Sequence, residues 1–222
     1  LRVQGLIPLE EPFTAAGYVF EGDGGGESTN ATVLAVSGPD AIVDWVLVEL
    51  RDADEPGTVV ASRSALIQRD GDIVGVDGVS PIQFGVAVKD YHIGIRHRNH
   101  FGVVSAQALR VSVVEKSYDL SDGSIALFGT EATKDLGPIK ALWAGNAMPD
   151  GMLKYTGLNN DRDVVLQAIG GAVPTNTVSG YRVEDLNLDG EVKYTGSEND
   201  RDIILQNIGG VVPTNIRVEQ VP

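Results

Sequence analysis

The sequence predicts a mainly β protein, in which an antiparallel β-sandwich is followed by a small α-helical domain. Short apolar segments with turn residues between them fill the first two thirds of the chain, and no amphipathic helix interrupts them. The last third contains a duplicated unit. The predicted divisions are an extended N-terminal arm with a Gly-rich loop at 1–30, a β-sandwich at 31–130, a linker at 131–144 and the duplicated domain at 145–222.

Composition limits the classes of partner. The chain of 222 residues has 31 acidic and 17 basic side chains and a formal net charge of -14. This balance argues against nucleic acid and anionic membranes as partners, and it fits cation binding. No apolar run approaches the roughly 20 residues that a membrane crossing needs, so no membrane insertion is expected. The absence of cysteine excludes disulfides and thiolate metal sites.

Alternation and β-branched residues indicate the strands of the sandwich. Val43–Leu50 is apolar on both faces, as expected for a central strand. Thr58–Ile67 follows a turn, and Tyr91–Arg98 alternates between apolar and polar side chains. Leu109–Val113 alternates too, and Ile125–Phe128 is a candidate last strand. Residues 131–142 are predicted as a loop or a short helix.

The last third contains an internal repeat with an offset of 39 residues. Asn146–Asn176 aligns with Asp185–Asn215 without a gap, with 19 identities in 31 positions. Two tandem copies of this length predict two units that bury each other's apolar faces.

The second copy begins like an EF-hand calcium loop. Asp185, Asn187 and Asp189 alternate as oxygen donors, and Gly190 follows at the position of the sharp turn. Glu191, at position 7, is expected to offer its backbone carbonyl. The sequence therefore predicts a calcium site here.

The end of this loop is longer than in a standard EF-hand. Gly196 occupies the usual closing position and has no side-chain oxygen, so Asp200 or Asp202 is predicted to close the loop. A short helix is expected over Asp202–Ile208, capped by Asn199 or Asp200. Val192 is expected to point into the core, where it could pair with its counterpart Leu153.

The first copy is predicted to bind calcium more weakly. It has Asn146 at position 1, and Met148 at position 3 supplies no side-chain oxygen. The alternative is that this loop is a structural relic. Its candidate ligands are Asn146, Asp150, Met152 through its carbonyl, Asp161 and Asp163.

The paired loop-then-helix units resemble the type I dockerin repeats of secreted bacterial proteins. The resemblance covers the last third and implies one calcium per repeat. The insertion after Lys154 and Lys193 replaces the region that grips a cohesin in dockerins, so no cohesin partner is expected.

A second resemblance concerns the sheet region. The words AIVDWVLVELRDA, ALIQRDGDIV and IRHRNHFGV are similar to segments of large secreted bacterial surface proteins that join a β-sandwich to a dockerin-like ending. It implies a further strand before Leu1, and hence an open sheet edge that an extended segment of a neighbouring subunit could fill.

No catalytic constellation is visible. The chain has no Gly-x-Ser-x-Gly elbow, no cysteine nucleophile and no glycosidase-like carboxylate pair. A small basic cluster of Arg96, His97 and Arg98 could meet an acidic patch on a neighbour.

These observations predict a non-catalytic structural subunit of an extracellular filament or surface assembly, secreted or on the cell surface. Calcium is expected to stabilise it, and its partner is expected to be itself, as a homo-oligomer or polymer. The alternative is a carbohydrate-binding or adhesion module of a larger secreted protein, with a glycan as ligand.

Overall fold

The computed structural model describes residues 1–222, and its regular structure is mainly β. In chain order the elements are α1 (Ala31–Leu34), β1 (Ile42–Arg51), β2 (Val59–Gln68), β3 (Ile73–Val74), β4 (Asp90–Arg96), β5 (Val103–Val104), β6 (Leu109–Arg110), β7 (Lys134–Asp135), β8 (Lys140–Ala141), β9 (Met152–Lys154), α2 (Asp161–Ala168), β10 (Thr177–Ser179), β11 (Glu191–Lys193), α3 (Asp200–Asn207) and β12 (Ile216–Val218). None of the three helices has the length and apolar character that a membrane crossing requires.

One antiparallel sheet dominates the first two thirds of the chain. Its order is β3-β2-β1-β4-β5, and β6 also pairs with β4. Trp45 and Leu47 belong to the core on one face of β1, and Val46 and Val48 belong to the core on the other. Burial on both faces explains the continuous apolar run of this strand and confirms the prediction that it is central.

The N-terminal arm covers one face of this sheet. Leu1, Ile7 and Phe13 are buried in the same cluster as Trp45, and the indole nitrogen of Trp45 donates to the Pro8 carbonyl at 2.9 Å. The arm is irregular and turned, with one isolated bridge to residue 28. It therefore forms a layer on the sheet and contributes no strand to it.

Irregular segments cover the other face, in place of the second sheet of a sandwich. Ala132 is buried there, with Leu120, Leu127 and Leu142 packed around it. The structure thus confirms a mainly β, antiparallel fold, while regular strands make up only one of its large layers.

Several predicted elements are shorter than expected. The strand predicted from Leu109 ends at Arg110, and the segment 125–128 makes a single bridge between Leu127 and Ser105. Residues 131–142 contain the β7–β8 hairpin, so the helical alternative was wrong. Short strands also lie along both flanks of the sheet, with β3 on β2 and with β5 and β6 on β4. These strands are two residues long and pair with only part of β2 and β4.

The two repeats exchange strands. The end of the first repeat, β10, pairs with β11 at the start of the second, and β12 pairs back with β9. Val192 is thus opposite Val178, and Leu153 is opposite Arg217, so the expected pairing of Val192 with Leu153 was wrong. Both side chains still enter one shared core with Val165, Ile169, Leu186, Ile204 and Ile208. Eight-residue helices are marginal alone, and this exchange gives each one a packed surface.

The repeat pair is joined to the sheet by buried contacts. Phe101, just after β4, is part of the repeat core. The Asn99 side chain donates to the Asp185 carbonyl at 2.7 Å, and the Tyr181 hydroxyl donates to Asp44 on β1 at 2.6 Å. These contacts place the second loop at the junction of the sheet, the arm and the repeats.

Candidate metal centre

The second loop is shaped by the carboxylate of Asp185, which is fully buried. Its two oxygens accept the backbone N–H groups of Asp189 at 3.1 Å and Gly190 at 2.9 Å. Gly190 adopts a φ of 89°, and Leu188 adopts a φ of 62°, which is rare for a residue with a branched side chain. The alternating oxygens therefore lie on a tightly turned backbone of the type that the EF-hand pattern predicts.

Asp200, the first residue of α3, closes this loop. One carboxylate oxygen accepts the N–H groups of Leu186 at 2.6 Å and Asn187 at 3.3 Å, and the other accepts the N–H of Lys193 at 2.7 Å. The side chain thus ties both halves of the loop to the helix. Of the two predicted closing residues, Asp200 is therefore the one whose carboxylate contacts both halves of the loop.

Asp202 has a different role. Asn199 caps α3 by accepting the Asp202 N–H at 3.0 Å, and its amide donates back to the Asp202 carboxylate at 2.9 Å. Asp202 also pairs with Arg201, and its side chain is 46% exposed. This arrangement is a side-chain N-cap in which Asp202 in turn accepts from the amide of the cap residue. The helix accordingly begins two residues earlier than predicted, and Asp163 repeats the same contacts in the first copy.

The first loop has the same closure but a different opening. Asp161 accepts the N–H groups of Met148 at 3.0 Å and Lys154 at 2.8 Å. Asn146, at position 1, is buried, and its side-chain oxygen has no hydrogen-bond partner. Pro149 stands where the second copy has Leu188, and the proline ring fixes φ near -65°. The first loop therefore cannot adopt the left-handed turn of the second.

The remaining predicted ligands lie around these two loops. Asp189 accepts the Glu191 N–H at 2.8 Å, and the amide nitrogen of Asn187 donates to Asp189 at 3.2 Å. Glu191 and Asp189 both lie near the Lys193 ammonium, at 3.1 and 3.3 Å. In the first copy Asp150 accepts the Met152 N–H at 2.9 Å. An open cleft of about 460 Å³ lies beside the second loop, lined in part by Asn187, Asp189, Glu198, Asn199 and Asp202.

Burial leaves the closing carboxylates with unbalanced negative charge. Desolvation raises the pKa of Asp200 to about 6 against the lowering effect of its backbone hydrogen bonds, and the charge of Asp185 raises it further. Desolvation likewise raises the pKa of Asp161 to about 6, with a further rise from Asp150. Burial, assisted by Asp189, also raises the pKa of Asp185.

The donor chemistry of both loops fits a hard cation such as calcium, which prefers carboxylate, amide and carbonyl oxygens. No three acidic or histidine side chains of the chain are gathered closely enough to hold a metal on their own. Amide, carbonyl or water oxygens would have to complete either site. The unpaired oxygen of Asn146 and the buried carboxylates Asp185, Asp161 and Asp200 are the groups that such an ion would satisfy.

A buried ionic network at the junction was not predicted. The Asp44 carboxylate accepts the Tyr181 hydroxyl and lies 3.0 Å from His97 and 3.2 Å from Arg98. Arg96 pairs with Glu49 at 2.9 Å. The cluster of basic residues thus has acidic partners inside the chain.

Comparison of the chain with family models, with curated proteins and with solved structures finds no match.

Proposed function

We propose that this protein is a non-catalytic, calcium-stabilised structural subunit of an extracellular or cell-surface assembly, built as a sheet domain with a dockerin-like repeat pair. Asp185, Asn187, Asp189 and Asp200 would hold the tighter ion, with a carbonyl from Glu191. Asn146, Asp150 and Asp161 would hold the weaker one, with the Met152 carbonyl.

The observation that carries this proposal is the position of the second loop. The Asp185 carbonyl accepts from Asn99 of the sheet domain, and the Leu188 carbonyl accepts from the nitrogen of Leu1 at 3.3 Å. Gly190 lies against Gln4 and Leu6 so closely that an added Cβ would collide with both. An ion that fixes this loop would stiffen the arm, the sheet and the repeats together. That is a structural role, because the loop is embedded and has little freedom to switch.

The proposed location follows from calcium supply. Extracellular calcium modules commonly bind with dissociation constants of about 10⁻⁴–10⁻³ M, which suits a site with only a few side-chain ligands. An acidic chain with a net charge of -14 is also stabilised by bound cations.

The glycan-binding alternative has less support. Sugar recognition by stacking needs exposed aromatic faces, and every aromatic side chain of this chain is buried or half-buried. Trp45, the aromatic residue weighed for this role, is fully buried under the N-terminal arm. We therefore favour the assembly role.

Thermal unfolding with calcium and with excess chelator tests the metal component. A ligand present at about 100 times its dissociation constant stabilises the native state by about 2.7 kcal/mol. For a chain of this size that corresponds to a rise of roughly 5–10 °C in the melting temperature. We expect Asp200→Asn to abolish most of this rise and the capping variant Asp202→Asn to keep it. An unchanged midpoint in wild type would contradict calcium binding.

A further inference from the structure

The repeat pair carries two equivalent two-stranded ribbons whose outer faces differ in polarity. One ribbon joins β9 to β12, and the other joins β11 to β10, with an offset of 39 residues between equivalent positions. The first ribbon and its loops present Met152, Leu158, Val211, Ile216 and Val218. The equivalent residues of the second are Glu191, Ser197, Ala172, Thr177 and Ser179.

We call Met152, Leu158, Val211, Val212, Ile216 and Val218 the apolar ribbon face. All six are exposed, with relative exposures of 36, 91, 85, 45, 57 and 55% in that order. The second ribbon has polar residues at four of these six positions, and Ala172 and Val173 at the other two, so folding alone does not require the apolar choice at those four.

Contacts within the ribbon bring these residues onto one surface. Val218 is directly opposite Met152, and Ile216 is opposite Lys154, so the four side chains share a face of the ribbon. The Lys154 ammonium donates to the Leu158 carbonyl at 3.3 Å. The Thr156 hydroxyl donates to the Pro213 carbonyl at 3.0 Å, which holds the loop of Leu158 beside the loop of Val211.

The size of this face matches a symmetric contact between two copies. Its six side chains expose roughly 600 Å², at the upper end of the largest patch on a typical monomer. Two copies meeting face to face would bury at most about 1,200 Å² through these side chains, which is the lower end of the range for a specific interface. A two-fold contact needs only one self-complementary patch.

The charge distribution also favours a second copy as the occupant. A chain with a net charge of -14 repels its own copies over most of its surface. None of the six residues is charged, and Lys154, which shares the face, is buried and lies 3.7 Å from Asp150. The equivalent ribbon has Lys193 in the same place and the additional charge of Glu191, 3.1 Å from it. Two copies would therefore meet with least repulsion through the apolar ribbon face.

We propose that the apolar ribbon face is the surface through which two copies of this chain pair symmetrically. Its biological meaning rests on the proposed assembly function. The pairing would be the first contact of a larger assembly, and it leaves the predicted ligands of the second calcium loop uncovered.

A polarity exchange between the ribbons tests this proposal. We would combine Leu158→Ser, Val211→Ala, Ile216→Thr and Val218→Ser, which give each position the residue of its counterpart in the other repeat. The matched control combines Thr177→Ala, Ser179→Ala and Ser197→Ala on the second ribbon. Sedimentation in calcium over a wide concentration range should show association of wild type and control, and an association at least tenfold weaker for the exchanged variant.

The outcomes separate this proposal from the assembly function. If the wild type, the exchanged variant and the control variant associate equally, the apolar ribbon face is not the contact surface, while the proposed assembly function still stands. A wild type that stays monomeric at high concentration would overturn both.

Because the chain has no cysteine, Ile216→Cys and Thr177→Cys can each carry one environment-sensitive fluorophore. An emission change with concentration at residue 216 alone supports the proposal, and equal responses at both positions contradict it, even if the exchanged variant fails to fold.

Discussion

The two loops of the repeat pair share their closure and differ in their opening. Asp161 and Asp200 are both fully buried first residues of a helix, and each accepts backbone N–H groups from both halves of its loop. At position 1, however, Asp185 accepts two backbone N–H groups, while the Asn146 oxygen accepts none. Closure is thus common to both repeats, whereas the opening halves differ, and we expect this difference to set how tightly each loop would hold a cation.

The two loops also differ in their surroundings. The second loop is held by Leu1, Asn99 and the Tyr181–Asp44 contact. The first loop also reaches the sheet domain, because the Asn99 carbonyl accepts the Asn146 N–H at 3.1 Å, and its Gly151 carbonyl accepts the N–H of Glu219 in the C-terminal segment at 2.9 Å. An ion in the second loop would therefore act on the arm as well as on the sheet and the repeats, and an ion in the first would act on the sheet, the repeats and the C-terminal segment.

The largest expected effect comes from removing the closing carboxylates in the presence of calcium. Asp200→Asn should lower the free energy of unfolding by about 4 kcal/mol, because buried N–H donors lose their acceptor and the tighter ion is lost. Asp161→Asn should lower the free energy of unfolding by about 2 kcal/mol. The first loop loses the same kind of acceptor, but the calcium ion lost with it is bound more weakly. Urea denaturation with and without calcium measures both. Equal calcium-dependent losses would show that the loops do not differ.

Breaking the support of the second loop should have the next largest effect. Asp44→Asn removes the charge from a buried network, which typically costs about 3 kcal/mol. Burial alone would raise the pKa of Asp44. The hydrogen bond and charge of His97, the charge of Arg98 and the Tyr181 hydroxyl outweigh this and hold its pKa well below the usual range.

The sign of the pH dependence follows from that depressed pKa. The unfolded carboxyl titrates near pH 4, so the contribution of Asp44 is fully present above that pH. It is lost as the pH falls from about 4 through the lower folded pKa. The stability difference between wild type and Asp44→Asn should therefore shrink with acidification in urea denaturation series. A difference that stays constant from pH 7 to the acid limit would contradict this origin.

The smallest expected effect is a gain in the first loop. Met148→Asn with Pro149→Leu supplies the missing oxygen at position 3 and permits the positive φ seen at Leu188. We expect calcium to bind this loop about tenfold more tightly, equivalent to about 1.4 kcal/mol. Pro149→Leu alone is the control for backbone freedom. Unchanged affinity in the double variant would show that position 1 alone limits the site.

Local sequence patterns predicted the parts of the fold that depend on short-range regularity. The central strand was recognisable because both of its faces are apolar. The repeat and its loops were recognisable as duplicated sequence segments. The choice between Asp200 and Asp202 was not accessible, because both are carboxylates in the same helical turn and only the capping geometry separates them.

Long-range features left little signal in the sequence. The exchange of β10 and β12 involves strands of three residues, which are too short for a readable alternation. Asp44 and Tyr181 meet across 137 positions, with no local pattern at either. Pro149 could have shown from the sequence that the first loop differs, because proline cannot adopt the positive φ of its counterpart Leu188. The comparison of side-chain ligands drew attention to positions 1 and 3 instead.

Calcium titration calorimetry on three proteins tests the central difference between the loops most directly. Wild type should show two binding phases, Asp185→Asn should lose the tighter phase, and Asp161→Asn should lose only the weaker one. Loss of the same phase in both variants, or no calcium heat in wild type, would contradict the account.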